Sequence, residues 1–534
     1  MALPAGCHQP CKNHLRRAAG WLILGSKSHR AAPPAPQPQS PDVIRFRALV
    51  GIMALLLCLV ALFQLERARA GLQISDLRIG TTPVTLYQRD ATGPIVVVAH
   101  GFAGSRQIMQ SYSLALAQAG YRVVAFDFEG HGRNPKPMSG DVTSVDGTTA
   151  LLVAETRRVI AYARSLPGDN RVGLLGHSMA TDIIIRASIA ETAQGQPVQA
   201  VVAISMFSQA VTATAPQQLL VISGQWESFL RKAGLDAARL VDPAATEGAV
   251  VHSGPTRRAT MVAPGVEHVG VLFSPSAVQT AQDWFDTSFK HTSATKPTPR
   301  GWWILALLGG IVLGFSPLAA KLPAGPTAPA IPLGRFLLAI LIPLAVTPLL
   351  ITPFYRNFLP VLVADYLMLH LALFGVLQLA ILRTWPRWPG TAAALSALIL
   401  AAWGIAVFGL ALDRYAANFL PTAQRLPIIA ALALGTIPCM LADSHLTQAG
   451  RAALWRRAAA RLALFASLIV AALLRPDDLT FVLIVLPVFV LFFLVHGLLG
   501  RWVGQRGGAW AAGVGLGLCL AWALGVSFPL FAPA

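Results

Sequence analysis

Cysteine is scarce in this chain: five occur among 534 residues, Cys7, Cys11, Cys58, Cys439 and Cys519, and none lies between positions 59 and 438. That absence excludes a disulfide-stapled architecture for the central region. Charge is scarce as well. Charged residues make up 12% of the chain against 54% hydrophobic, a balance that points to membrane segments rather than to a larger soluble core. Acidic residues are the scarcest, 24 against 42 Lys and Arg, for a net charge of +18. Such an excess suits a nucleic-acid binder when it gathers on one folded surface, and here it does not. Between Gly71 and Lys296 there are 18 basic and 17 acidic residues, so the middle of the chain is close to neutral. The other 24 basic residues flank apolar runs with 7 acids among them, which is the pattern of membrane topology. No nucleic-acid partner is expected. Internal repeats, dinucleotide fingerprints and phosphate loops are missing too, and no cofactor is expected.

Cys7, His8, Cys11 and His14 put zinc-type donors close together. The surrounding Ala-, Pro- and Gln-rich stretch, with Pro33 to Pro41 behind it, reads instead as a disordered basic cytoplasmic tail over 1–47, and no metal site is assigned.

The apolar runs come next. Ala48 to Leu65 follows Arg45 and Arg47 and has the length of a transmembrane signal anchor, with cleavage near Ala68 or Ala70 as the alternative. A Ser/Thr/Pro/Lys linker covers 291–300. Beyond it, 301–534 reads as a membrane domain of about eight helices, near 302–320, 336–354, 358–382, 391–412, 426–443, 462–474, 479–498 and 509–529. With the N-terminus inside, the inner segments carry 17 Lys and Arg and the short outer loops carry 4, namely Arg356, Arg414, Arg425 and Arg475. This bias places the central region outside, in a periplasm or extracellular space, on a bacterial-type inner (plasma) membrane crossed several times. The lipid bilayer is thus an expected partner. Asp365 with His370, and Asp443 with His445, are polar residues at costly positions. A pore or relay is one reading; an interhelical hydrogen bond for the first pair and interfacial placement for the second is the other.

The chemistry lies in the central region. Gly176-His177-Ser178-Met179-Ala180 follows the apolar run Arg171 to Leu175 and precedes the helix-like stretch Thr181 to Ala190. Strand, tight turn, serine and helix in that order expose a hydroxyl for nucleophilic attack, with small residues at 176 and 180 where two backbones pass closely. By this motif and its context the chain resembles the α/β-hydrolase family of esterases, lipases and thioesterases. The resemblance covers about 71–290 and implies an α/β fold: a sheet of about eight mostly parallel strands with helices on both faces. It names no family for the membrane domain.

The family's order of serine, acid, histidine then assigns the partners. Glu227 follows the strand Gln218 to Ser223, where the family more often has aspartate; a favourable charge at the start of the helix Glu227 to Leu240 is the alternative. Asp236 and Asp242 lie too far along. His268 follows the strand Arg258 to Val262 and leads over His252, in an irregular stretch, and His291, beyond the last helix. The run Pro94 to Ala99 followed by His100-Gly101-Phe102 resembles the family's His-Gly loop, which implies the backbone N–H groups of Phe102 and Met179 as the oxyanion hole. In Asp127-Phe128-Glu129-Gly130-His131-Gly132, Glu129 stands where many members have arginine. About a dozen residues separate the strands ending at Ile204 and starting at Gln218, too few for a helical lid.

The resemblance implies a membrane-anchored serine hydrolase acting on an ester or thioester of a small-molecule or lipid acyl substrate, with catalytic Ser178, Glu227 and His268. Acyl transfer to an alcohol is an alternative. A transporter or membrane-assembly protein with a non-catalytic hydrolase-like domain is another.

Overall fold

The computed structural model describes residues 40–532 apart from 142–143, 294, 362 and 385–387. Cys7, His8, Cys11 and His14, with the tail up to residue 39, lie outside the described residues. Nine strands form one sheet: β1 Gln73–Ile79, β2 Thr82–Gln88, β3 Ile95–Ala99, β4 Arg122–Phe126, β5 Val172–His177, β6 Ala200–Ile204, β7 Gln218–Gly224, β8 Val250–Ser253 and β9 Thr256–Ala263. Their order is β1-β2-β4-β3-β5-β6-β7-β9-β8. The six from β4 to β9 run parallel, and β1, β2 and β8 pair antiparallel at the edges. The central strands are buried on both faces. This is why β3 reads Ile-Val-Val-Val-Ala, with no polar alternation. Six helices belong with the sheet or lead into it: α1 Pro41–Arg67, α2 Gln110–Gln118, α3 Ala150–Ser165, α4 Met179–Ala193, α5 Ser228–Arg239 and α6 Pro275–Phe289.

One face of the sheet packs Val96, Val98, Leu175 and Ile222 against Leu114 and Leu116 of α2 and Phe285 and Phe289 of α6. The other packs Val97, Phe126, Leu174 and Val221 against Val159 and Ile160 of α3 and Ile183 and Ile184 of α4. The chain enters the parallel sheet at β3, steps one way to β4 and then crosses to β5 on the other side. Connections leaving in opposite directions open a crevice at the carboxyl ends of β3 and β5. The ninth strand is the difference from the expected eight. β8 falls in the stretch around His252 that reads as irregular, because its four residues, Val-Val-His-Ser, are mostly exposed. The Gly254-Pro255 turn nevertheless folds it back on β9, with Ser253 opposite Thr256.

Among the described residues, nine helices are long and apolar enough to cross a membrane: Pro41–Arg67, Gly301–Ala319, Leu333–Phe354, Ala364–Leu382, Thr391–Tyr415, Arg425–Leu446, Leu454–Leu474, Val482–Gly507 and Ala509–Ser527. Several bounds differ from those read in sequence. The first helix begins at Pro41, so Arg45 and Arg47 ride on its opening turns instead of in a tail. The run at 358–382 starts as helix only at Ala364, because Asp365 accepts hydrogen bonds from the backbone N–H groups of Phe358 and Leu359 and folds that stretch into a loop. The short run at 462–474 lengthens back to Leu454. On its first turn Arg456 donates to the Ile331 carbonyl at 2.7 Å.

Glycine sets the closest helix contacts. A Cβ on Gly435 would lie 2.2 Å from the Met368 carbonyl oxygen, and one on Gly517 would lie 2.6 Å from Ile437 Cα. At the second contact the Thr436 hydroxyl donates to the Gly517 carbonyl at 2.7 Å. Small residues with a hydroxyl bonded across the gap are how helices associate where lipid removes the hydrophobic drive between them.

Candidate active site

Ser178 sits between β5 and α4 at φ 54° and ψ −120°. Non-glycine residues reach such angles only when their surroundings enforce them, at about 1–3 kcal/mol. Here the Ser178 N–H donates to the Ile204 carbonyl at 2.9 Å and the Thr181 hydroxyl to the Ser178 carbonyl at 2.7 Å. Gly176 leaves the room the turn needs, since a Cβ there would meet Ile184 Cδ1 at 2.9 Å and Ala180 Cβ at 3.2 Å. The turn lifts the hydroxyl out of the sheet toward the crevice.

His268 and Glu227 arrive from separate loops. The Ser178 hydroxyl lies 2.9 Å from His268 Nε2, and His268 Nδ1 lies 2.6 Å from Glu227 Oε1. Glu227 occupies the N-cap position of α5 but makes no side-chain cap; its carboxylate turns to the histidine instead. Its second oxygen accepts the Ser205 hydroxyl at 2.8 Å and the Gly224 N–H at 2.6 Å. Burial pushes the Glu227 carboxyl up, but hydrogen bonds from His268, Gly224 and Ser205 outweigh it and hold the group below the usual range. A charged acceptor therefore faces Nδ1, which fixes Nε2 as the acceptor for the serine proton.

Two backbone segments flank the serine. The β3 loop crosses directly over the serine, so that a Cβ on Gly101 would meet Ser178 Cβ at 3.0 Å; Phe102 is the next residue. Met179 opens α4, where helix N–H groups have no partner within the helix. His252 lies instead on edge strand β8, and His291 is 2.8 Å from the Ala119 carbonyl. Asp236 pairs with Lys232.

Residues 94–242 match the family described as alpha/beta hydrolase fold. This is the α/β-hydrolase fold. Similar solved structures include a dienelactone hydrolase from Anabaena variabilis, 17% identical over 42% of this chain and 99% of that one, with a TM-score of 0.32. An epoxide hydrolase from an endophytic Streptomyces is 14% identical over 42% and 97%, with a TM-score of 0.30. A membrane phospholipase A described as a bacterial virulence factor is 16% identical over 46% and 98%, with a TM-score of 0.29.

Around the hydrolase site stand residues that pattern reading passed over. Ser205, at φ 54° behind β6, supports Glu227. The His177 ring donates from Nε2 to the His268 carbonyl at 2.9 Å; burial, then the neighbouring His268, push its pKa down to about 3 and keep it neutral. It lies inside the serine motif, at the position where any residue fits, and so gave no signal. His100 accepts the Phe128 N–H on Nε2 at 3.1 Å and donates from Nδ1 to the Gly101 carbonyl, tying the β3 loop to the β4 loop. Asp127 accepts the Arg106 N–H at 2.7 Å and the Arg133 N–H at 2.9 Å and pairs with the Arg106 guanidinium. Glu129 is buried and neutralised by Lys136 at 2.8 Å and Arg158 at 3.6 Å, so the departure from arginine leaves no bare charge.

The rim that carries the site also meets the helical bundle. Arg425 donates to the Gly130 carbonyl at 2.9 Å, Arg133 pairs with Asp413, and Asn418 donates its N–H to the Ser105 hydroxyl at 3.1 Å. Residues 138 and 130 exchange backbone hydrogen bonds with Leu530 at 2.8 Å each. The Phe102 ring lies 5.8 Å from that of Phe481. All these partners sit at the helix ends on the side where α1 enters the sheet. On the rest of the rim, Phe207, Trp226, Phe229 and Val269 are exposed; Trp226 adjoins Glu227 and Val269 adjoins His268 in sequence, and the Phe207 and Phe229 rings lie 6.1 Å apart.

Proposed function

We propose that this protein is a membrane-anchored serine hydrolase that cleaves an ester or thioester of a lipid-derived acyl group through an acyl-enzyme. The observation that carries the reading is the unbroken relay from Ser178 Oγ to His268 Nε2 at 2.9 Å and from His268 Nδ1 to Glu227 Oε1 at 2.6 Å. His268 takes the hydroxyl proton as Ser178 attacks the carbonyl carbon, while the Glu227 carboxylate stabilises the imidazolium. The N–H groups of Phe102 and Met179 receive the oxyanion. His268 then returns the proton to the departing alcohol or thiol. A water, deprotonated by the same ring, attacks the acyl-serine and regenerates the hydroxyl.

An apolar substrate fits the setting. The Phe102–Phe481 contact closes one flank of the site with a residue of the helical region, and exposed Phe207, Trp226 and Phe229 line the open rim. In this reading the nine helices span a bacterial-type inner membrane, and the charge bias puts the hydrolase on its periplasmic or extracellular side.

Labelling by a fluorophosphonate probe tests the chemistry. Wild type labels and turns over acyl esters, and Ser178→Ala does neither while keeping the wild-type thermal unfolding temperature. Near-normal turnover by Ser178→Ala overturns the assignment.

A further inference from the structure

At the opposite end of the bundle a second site is built from different chemistry. The helix Arg425–Leu446 touches the hydrolase with its first residue; Asp443 lies 18 residues further on, roughly 27 Å away at the helical rise. There a cavity of about 200 Å³ opens between Arg425–Leu446, Leu454–Leu474, Val482–Gly507 and Ala509–Ser527. Arg457, Arg461 and Arg501 line it, with Asp443 as the one carboxylate and with Phe493 and Leu494 forming an apolar wall.

Other arginines at this end finish on backbone. Arg451 donates to the Gln505 carbonyl, Arg456 to that of Ile331 and Arg506 to that of Leu322. The cavity arginines are left differently. The Nε atoms of Arg457 and Arg461 are buried without a hydrogen-bond partner. Arg461 reaches Asp443 only at 3.6 Å and is held by the Phe493 ring, whose centroid is 4.4 Å from its guanidinium carbon. Three guanidinium groups against one carboxylate repel each other unless an anion joins them. Guanidinium donors in a fork geometry match the oxygens of a phosphate or a carboxylate, and three of them against one carboxylate suit the more highly charged phosphate. Leu494, 68% exposed, continues the pocket wall onto the outer surface of the bundle, where acyl chains would lie.

We propose that this cavity binds a phosphate group, supplied by the headgroup of an anionic phospholipid in the leaflet remote from the hydrolase. The lipid is favoured over free phosphate because the polar floor and the apolar, exposed wall adjoin, matching a headgroup and its chains. The site is separate from the hydrolase chemistry and stands whether or not Ser178 is the nucleophile.

The test uses the full chain in detergent, with adducts counted by native mass spectrometry. Phosphatidylglycerol, phosphatidylcholine and inorganic phosphate are added separately and in competition. Wild type retains phosphatidylglycerol over phosphatidylcholine, and Arg457→Gln with Arg501→Gln weakens that retention by about tenfold or more. Asp443→Asn removes the competing carboxylate and strengthens retention, a change that misfolding does not produce. Phosphatidylglycerol that resists millimolar phosphate identifies the lipid as the source. Displacement by phosphate, with phosphate adducts in its place, keeps the site and assigns it to the free anion. Equal retention of both lipids with no phosphate adduct overturns the proposal, as does an Arg457→Gln/Arg501→Gln variant that binds like wild type.

Discussion

Two polar chains, one in the sheet region and one in the bundle, use nearly the same parts. In the first, Glu227, His268 and Ser178 join end to end. In the second, Asp365, Tyr355, Tyr366, Thr352 and His370 cluster at the N-terminal end of the helix Ala364–Leu382, and the links do not connect. Asp365 is saturated by the Tyr355 hydroxyl at 2.7 Å and by the N–H groups of Phe358 and Tyr366. His370 meets the Tyr366 hydroxyl at 3.1 Å, and its Nε2 is buried with no partner. No hydrogen bond joins the carboxylate to the imidazole among the described residues. The first chain ends at a hydroxyl in a crevice, beside a histidine whose side chain is 43% exposed; the second ends inside packed helices. Carboxylate, imidazole and hydroxyl in proximity thus do not by themselves make a connected relay. Continuity of the proton path and access for a substrate separate the two.

The comparison breaks most sharply at the histidines. His268→Ala should lower kcat for ester turnover by about 10⁴-fold or more, since the serine loses its base, and Glu227→Gln somewhat less. His370→Ala should leave kcat within about twofold, because no reacting group depends on it. A loss at His370 equal to that at His268 would join the two chains functionally and defeat the distinction. His252→Ala, measured in parallel, should match wild type.

Ser205→Ala sharpens the same contrast at smaller scale. It removes one of three donors to Glu227, and a drop of about tenfold in kcat with little change in KM is expected. Because Ser205 works through the carboxylate, Glu227→Gln/Ser205→Ala should cost no more than Glu227→Gln alone.

A fourth expectation concerns orientation. An Ala244→Cys substitution, on an exposed loop of the hydrolase, should react with a membrane-impermeant maleimide in intact spheroplasts. Reaction only after lysis would place the domain in the cytoplasm.

The smallest effect is one of stability. Glu155 is buried beneath the β4 loop, and burial raises its carboxyl to about 7 despite hydrogen bonds from Thr82 and the Glu129 N–H. A carboxyl with a raised folded pKa binds more protons folded than unfolded. Its contribution is full below about 4.5, the ordinary value, and is lost as the pH rises through about 7. Thermal unfolding followed between pH 5 and 8 should therefore show declining stability. In Glu155→Gln that decline should flatten.

Much of the sheet region was legible because its signals are local. A buried strand announces itself by five or six apolar residues, and the serine, the carboxylate and the histidine each stand a few residues behind one. Bounds shifted by a residue or two without moving any of them. Edge strand β8 was missed for the opposite reason, being short and solvated. Nothing local marked His177 or Ser205, whose roles depend on partners 91 and 22 residues away. Asp443 gives a similar lesson: it faces Arg461, which the separate helix Leu454–Leu474 brings to it, and nothing in its own stretch marks that partner. The meeting of rim and bundle was the least legible, as Ser105 and Asn418 are 313 residues apart.

The pairing of Leu530 with residues 130 and 138 also has a consequence for the timing of biogenesis. Synthesis proceeds from the N-terminus, so the hydrolase core emerges and can close its sheet while most of the bundle is still unmade. The strand-like partner of its 130–138 loop, however, is translated nearly 400 residues later, after the last long apolar helix. Through that interval the loop beside Phe102 lacks its final support. Arrest of the chain before residue 527 would then leave a closed sheet whose 130–138 loop still lacks the backbone groups of Leu530.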